Sequence, residues 1–451
     1  MDFASGRVYT IKIIVIKKIE KKVYIGMSGG VDSSVSALLL KKNDYDVTGV
    51  FIKVWQPEFF ECTWRQDRLD AMRVCAKLDI PFITLNLESE YKKEVVDYMI
   101  EEYKRGRTPN PDVMCNKYVK FGGFFDWAIE QGADYVATGH YARTSRVESR
   151  KSKVESKNLN IMNKHYGVSN NTIMNQLVAG SDKNKDQTYF LWTLTQKQLS
   201  KTLFPIGDLD KPKVRKLAEK YVLSTAVKKD SQGLCFIGKI DIKDFLRNYI
   251  KEKKGKVLDE NGNKIGEHDG AFYLTVGQRH GFNITRNIRG QDAEHMRNSV
   301  EKNGGLSLRR SGATGKGESS VFSECNQKQK KDIAPYYIIS KDIKNNTITV
   351  SHSPKIADDE SRIVKLEKIN WTLGEVPDLS KKYYARIRYR QPLEECRIVE
   401  SYKVIKLKVE NKIKENIEYE LHFENPQKAI TSGQSAVIYD GEVCLGGGII
   451  S

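Results

Sequence analysis

Between residues 21 and 138, short apolar runs rich in β-formers alternate with stretches of helical periodicity. Residues 23–25 precede a helical pattern at 33–42, 47–54 precede 66–78, and 82–85 precede 91–105; a further helix is predicted near 118–131 and a strand at 135–138. Strand and helix in alternation predict an α/β fold with a doubly wound parallel sheet, whose ligands sit beyond the carboxyl ends of the strands. The pattern then breaks. RVESR and KVESK form a polar near-repeat, and about 146–175 reads as an exposed insertion. Helical periodicity returns at 195–201 and 211–221, and the short helix of DIKDFLRNYIKEKKG opens a module of strands and glycine turns. About 287–331 is polar with little apolar pattern and reads as a loop or linker. Beyond it PYYIISKD, TITVSH, YYARIRYRQ, YKVIKLKVE, YELHFE and SAVIYDGEVCLGGGII are short alternating strands at close spacing, which predict a small β-barrel. The division is then an N-terminal extension over 1–20, a catalytic domain over 21–240, a central domain over 241–334 and a C-terminal β-barrel over 335–451.

Composition narrows the partners. The 451 residues carry 75 Lys+Arg against 58 Asp+Glu, a net charge of +17. That surplus favours a polyanion, nucleic acid first and a membrane surface second, although basic residues spread along a whole chain also describe a solvated surface. No run reaches the ~18 apolar residues that span a bilayer, and the apolar stretch at 9–22 is interrupted by lysine, so neither a membrane span nor a signal peptide is expected and the chain reads as cytoplasmic. Seven cysteines without a CxxC pair fit neither a zinc site nor a secreted disulfide framework.

The stretch VYIGMSGGVDSSVSALLL, residues 23–40, runs from strand through a glycine-serine turn into helix. Gly29 and Gly30 let backbone approach a phosphate, Ser28, Ser33 and Ser34 offer hydroxyls, and the following helix aims its first amides at the anion. Asp32 is placed to help position a magnesium ion. The lysine of the usual GxxxxGK[ST] loop is missing. SGGxDS resembles instead the signature of the pyrophosphatase-loop ATPases, of adenine nucleotide α-hydrolase-like fold, which cleave ATP between the α and β phosphates and transfer adenylate.

GRTPNPDVMCNKYVKF, residues 106–121, sets Asp112 three positions before Cys115 in a proline-rich turn ahead of a helix. A thiol there, flanked by Lys117 and Lys120, is expected to have a lowered pKa and be a good nucleophile, whereas a half-buried, inert cysteine is the commoner fate. KKDSQGLCFIG places Cys235 in a second basic, polar loop.

Together with ATGHYAR, KDQTYFLWTL, FPIGDLDKPKVRKLAEK, LTVGQRHG, RIRYRQ and SGQSAVIYDGEVCLGGGII, these blocks resemble, in order, the bacterial tRNA-specific 2-thiouridylases. That resemblance implies an enzyme that adenylates the C2 oxygen of the wobble uridine of tRNAs for lysine, glutamate and glutamine and replaces it with sulfur. It implies ATP with Mg2+ at Gly26, Met27, Ser28, Gly29, Gly30, Val31, Asp32, Ser33, Ile52 and Gly139, with Ile52 standing where methionine is usual. It implies Cys115 as nucleophile, Cys235 as carrier of a persulfide from a cysteine desulfurase or sulfur-relay protein, and Asp112 as acid/base neighbour. Sulfur passes either directly or as hydrogen sulfide released when a Cys115–Cys235 disulfide forms. Asn110, Pro111 and Asp112 are expected at the target base, and His140, Lys185, Asp186, Gln187, Arg388, Tyr389 and Gln434 on the tRNA; packed or outward-facing structural roles are the plain alternatives for His140, Arg388 and Tyr389. Gln232 and Ser432 depart from the usual threonine and proline. Three rivals stay open: an amidating or lysidine-forming ligase, a non-catalytic RNA-binding relative, and an iron–sulfur cluster on Asp112, Cys115 and Cys235.

Overall fold

The computed structural model describes residues 20–59, 64–149, 172–230, 242–285, 335–353, 359–406 and 413–451. Cys235, nearly all of the 1–20 extension and the polar 287–331 segment lie outside them.

The first module is built on β1 (Lys22–Gly26), β2 (Asp46–Lys53), β3 (Phe82–Asn86), β4 (Tyr135–Ala137) and, later in the chain, Thr202–Leu203, all parallel, in the order β3-β2-β1-β4-(Thr202–Leu203). Alternation along each strand sends side chains to two apolar layers. Val23, Ile25, Val47 and Phe51 meet helix α1 (Val31–Lys42) and helix α2 (Trp64–Leu78) through Ala37, Leu40, Ala71 and Val74. On the opposite face Tyr24, Val50, Ile52 and Val136 meet Phe121, Phe124 and Phe125 of the helical segment over 111–130. The chain runs outward from β1 through β2 to β3, then crosses to β4 on the other side of β1. The crevice at that reversal lies beyond the carboxyl ends of β1 and β4, where Gly26–Ser33 and Gly139–His140 emerge.

The flanks of the polar insertion are strands rather than loop. β5 (Ala142–Ser149) and β6 (Thr172–Ala179) form an antiparallel hairpin paired from Ala142↔Ala179 to Ser149↔Thr172. Polar side chains are compatible with a ladder made by backbone groups, which the low-complexity reading overlooked.

The central sheet contains Gly255–Leu258, Lys264–His268, Phe282–Ile284, Tyr337–Asp342 and Thr347–Ser351. The last two, which the sequence pattern assigned to the C-terminal barrel, belong here: Thr347–Ser351 pairs in parallel with Gly255–Leu258, and Ile338, Ile348 and Val350 share a core with Val257 and Leu274. A period of two identifies a strand but not its sheet. The barrel itself runs through Ile363–Trp371, Ile413–Phe423, Glu394–Lys406, Lys382–Arg386, Ser435–Asp440 and Val443–Ile450, and pairing of the first with the last closes it. Its last strand also pairs with β6, through Val443↔Val178 and Cys444↔Leu177, so the hairpin joins the first module to the barrel.

Candidate functional site

β1 ends at Gly26, and Gly30 caps α1 in an extended conformation. The serines knit the turn: Ser33 Oγ donates to the Gly30 carbonyl at 3.1 Å, Ser34 Oγ to the same carbonyl at 2.8 Å, and Ser28 N donates to Ser33 Oγ at 3.2 Å. Gly29 has φ +72°, and a Cβ there would stand 2.2 Å from the Asp67 carbonyl oxygen. Gly139 is equally confined, because its Cβ would lie 2.7 Å from Ser33 N. The first-turn amides of α1, which have no intrahelical acceptor, thus open onto a small backbone-lined cradle suited to phosphate. Met27, Val31 and Ile52 are buried around it.

Asp32 is held by two side chains through three hydrogen bonds. Lys211 Nζ lies 2.8 and 2.9 Å from its two oxygens, and the Tyr141 hydroxyl donates to it at 2.8 Å. Lys211 opens the helix Lys211–Lys220, whose cap Asp210 accepts from Lys213 N at 3.0 Å, and its side chain is only 10 % exposed. Its ammonium also lies 2.8 Å from Asp230, which in turn pairs with Lys185 at 2.7 Å and Arg215 at 2.7 Å. Burial pulls the Asp230 carboxyl up, but Lys185 and Lys211 outweigh it and hold it at about 2. Burial, reinforced by the charge of Asp32, pushes the Tyr141 hydroxyl well above its ordinary value. Lys211, Tyr141 and Asp230 were not singled out from the sequence; Lys211 sits inside the DLDKPKVRK block, where Asp-Lys-Pro marks a helix start and nothing more.

The Asn110–Cys115 segment begins a helix. Asn110 caps it, accepting from Val113 N at 3.3 Å, and Pro111 occupies the first turn of Pro111–Met114. Cys115 starts a π-helical stretch, Cys115–Phe124, and is fully buried among apolar residues that include Met114, Val119 and Phe121. The thiol, expected from the flanking lysines to have a lowered pKa, is therefore shielded in this conformation. Phe124 reaches the glycine-serine turn: a Cβ on Gly26 would be 3.6 Å from its ring.

The remaining anticipated tRNA contacts are engaged by protein. Gln434 donates to the carbonyl of Thr108 at 2.9 Å, and Thr108 N donates to the Ser432 carbonyl at 2.8 Å. Arg388 Nη2 donates to the carbonyls of Val276 and Ala429 and to Thr431 Oγ1 at 2.7–2.9 Å. Asp186 is buried and accepts from Gly180 N and from both the backbone and hydroxyl of Thr188, while Gln187 accepts from Tyr141 N. Lys185 pairs with Asp230, and the Tyr389 ring packs 4.5 Å from that of Phe190. His140 is buried, 2.8 Å from Thr138 Oγ1 and 3.4 Å from Lys120 Nζ; burial first, then the Lys120 charge, keep it neutral. Among the described residues no group of three or more His, Cys, Asp or Glu side chains is arranged to hold a metal, and no helix is long and apolar enough to cross a membrane.

Comparison with known proteins covers nearly the whole chain. The tRNA methyl transferase HUP domain matches residues 21–239, the tRNA methyl transferase PRC-barrel domain 243–296 and the aminomethyltransferase beta-barrel domain 361–450. The tRNA-specific 2-thiouridylase MnmA of Streptococcus thermophilus is 40% identical over 431 residues, 95% of each chain, and that of Francisella philomiragia is 39% identical over 434 residues, 95% of this chain and 99% of the relative. Among solved structures, the U34-tRNA thiolase NcsA of Methanococcus maripaludis aligns over 51% of this chain and 63% of its own at 16% identity with a TM-score of 0.29, and NMN synthetase of Francisella tularensis over 50% and 72% at 14% identity with a TM-score of 0.28; neither likeness carries an argument. By identity, coverage and the order of its three modules, the chain belongs to the family of the tRNA-specific 2-thiouridylases.

Proposed function

We propose that this protein is an ATP-dependent tRNA sulfurtransferase that converts the wobble uridine to 2-thiouridine. The observation that carries the reading is the near full-length identity to named 2-thiouridylases. It is supported by a lysine-free phosphate turn packed, through Phe124, against the helix that bears Asp112 and Cys115.

A uracil C2 oxygen is too poor a leaving group to be displaced directly. Its attack on the α-phosphate forms an O–P bond, breaks the bond to the β-phosphate and releases pyrophosphate, so that AMP becomes the leaving group. The α1 amides and the glycine turn would hold the triphosphate, and Asp32 is the carboxylate that would hold a Mg2+ ion, which would neutralise phosphate charge. Sulfur then replaces AMP at C2. In one route the terminal sulfur of a Cys235 persulfide attacks C2, and the Cys115 thiolate next attacks the Cys235 sulfur, freeing the thiouridine and leaving a disulfide. In the other, Cys115 attacks first and hydrogen sulfide is the species that reaches C2. Either route oxidises two thiols, so a thiol reductant must restore them, and a cysteine desulfurase or sulfur-relay protein must reload Cys235. Asp112 is the group to move the accompanying proton. Asn110, Pro111 and Asp112 face a base drawn out of its anticodon stack, as single-stranded RNA loops permit. The tRNAs for lysine, glutamate and glutamine are the substrates, and the work is cytoplasmic.

The test mixes protein, ATP, magnesium, a sulfide source and unmodified tRNA, and scores thiolation by retardation in a mercury-containing gel. A retarded band that requires ATP and weakens in Cys115→Ser is expected. ATP-dependent AMP formation on tRNA addition without any retarded band would overturn the sulfur step.

A further inference from the structure

The turn that holds the nucleotide contains no cation of its own: no lysine or arginine occurs between Lys22 and Lys41. Its one charged side chain is Asp32, which repels a polyphosphate. Amide dipoles at a helix start offset part of that repulsion, but a triphosphate whose pyrophosphate must depart needs a positive charge beyond the α-phosphate.

We propose that Lys211 is the phosphate-binding lysine of this site, exchanging its bond to Asp32 for the β- and γ-phosphates of ATP and then for the departing pyrophosphate. This rests on the reading of residues 26–33 as the ATP site. Three features of the structure argue for it. Lys211 places its ammonium within 2.9 Å of both oxygens of the second residue of α1, and so one side chain away from the cradle. The cluster around it sets three carboxylates (Asp32, Asp182, Asp230) against three cations (Lys185, Lys211, Arg215), with Asp182 accepting from the Lys211 main-chain amide at 3.0 Å, so the Lys211 charge becomes available to phosphate once Asp32 turns to a magnesium ion. Lys211 is also tethered independently of Asp32, because Asp230 holds the same ammonium at 2.8 Å. When Asp32 turns to a magnesium ion, the ammonium keeps one donor on Asp230 and has others for phosphate oxygens. Asp230 is then a positioning residue. The neighbouring Lys228 does not compete for the role, since Asp67 and Asp70 of α2 clamp it at 2.8 and 2.6 Å. In effect a helix from a distant part of the chain supplies the cation that other phosphate loops carry within themselves.

The experiment measures equilibrium binding of Mg-ATP, inorganic pyrophosphate and AMP to the full chain, with neither tRNA nor a sulfur donor. It compares the unaltered protein with Lys211→Met, Lys211→Arg and the pair Lys211→Met with Asp230→Asn. Loss of a charge-assisted contact should weaken ATP and pyrophosphate by about tenfold or more in Lys211→Met, with AMP within about twofold and Lys211→Arg near the unaltered protein. Asp230 keeps Lys185 and Arg215 when Lys211 is lost, so the paired variant restores the net charge of the cluster without restoring the ammonium, and separates a general charge effect from a direct phosphate contact. Under the proposal it stays as weak for ATP as Lys211→Met. Recovery of ATP binding in the paired variant, a parallel loss of AMP, or unchanged pyrophosphate affinity would each overturn the assignment. Because the assay uses no tRNA, it gives its answer even if the proposed thiolation is wrong.

Discussion

The side-chain amide of Gln434, in the barrel, donates at 2.9 Å to the main-chain carbonyl of Thr108, two residues before the Asn110 cap. Gly433, with φ +92°, makes the approach possible, since a Cβ there would come within 3.0 Å of the Thr108 backbone. The central module joins at the same point through Thr275, whose hydroxyl lies 3.2 Å from that of Thr108. Three modules therefore fix the segment that leads into Asn110, Asp112 and Cys115.

Gln434→Ala should loosen that segment. Loss of its donation to the Thr108 carbonyl, with the longer one to Pro109 at 3.4 Å, worth about 1 kcal/mol together, predicts roughly fivefold slower thiolation and faster amide exchange over 106–112, with Mg-ATP affinity unaltered. Hydrogen-exchange mass spectrometry separates this from a direct tRNA contact, for which KM for tRNA rises and exchange over 106–112 stays as it was.

Gly29→Ala combines a left-handed backbone with a 2.2 Å collision against the Asp67 carbonyl. The conformational penalty alone is about 1 kcal/mol, and the collision adds to it by displacing the turn. ATP affinity should fall by more than about tenfold. Gly132→Ala, also at positive φ but with nothing within 4 Å, is the control and should bind ATP normally.

The buried Cys115 predicts slow chemistry in the absence of substrate. Mapping of iodoacetamide adducts should find Cys115 at least about tenfold less reactive in the native protein than after denaturation, because an apolar, solvent-shielded thiol is a poor nucleophile. Addition of tRNA and ATP should raise its reactivity; equal labelling in the native and denatured chain would contradict the burial.

Asp230 gives a pH signature. Its carboxyl is held at about 2 against an ordinary 3.8, a depressed value, so its contribution to stability is present above roughly pH 4 and fades as pH falls toward 2. Its side chain is 31% exposed, and solvent screening reduces the contribution to about 1 kcal/mol. Melting curves should show Asp230→Asn less stable than the parent at pH 6, with the gap narrowing below pH 4.

What the sequence made legible was local. Alternating patterns marked β1 to β4, and SGGVDSS marked the turn, because strand, helix and glycine signals are written within a few residues of each other. The closed barrel was visible as a succession of short strands. What stayed hidden depends on pairing across the fold. Nothing near Thr347 says that its partner is Lys256, and nothing near Lys211 says that its ammonium will meet Asp32. Arg388 and Gln434 were expected on the tRNA; that each also donates to a main-chain oxygen of another module, Val276 and Thr108, no residue identity announces. The burial of Cys115 was hidden for a related reason: the lysines beside it in sequence were visible, but the aromatic layer under the sheet was not.

The hairpin of β5 and β6 acquires its outer neighbour only from Val443 and Cys444. During synthesis the ribosome makes the hairpin long before that strand emerges. The nascent chain therefore carries an open strand edge while the central module and most of the barrel are still being translated, and such an edge is a template for pairing with other chains. Production of the protein should depend on how quickly its last strand arrives, so slowed translation over the barrel is expected to cost soluble yield more than slowed translation over the nucleotide turn.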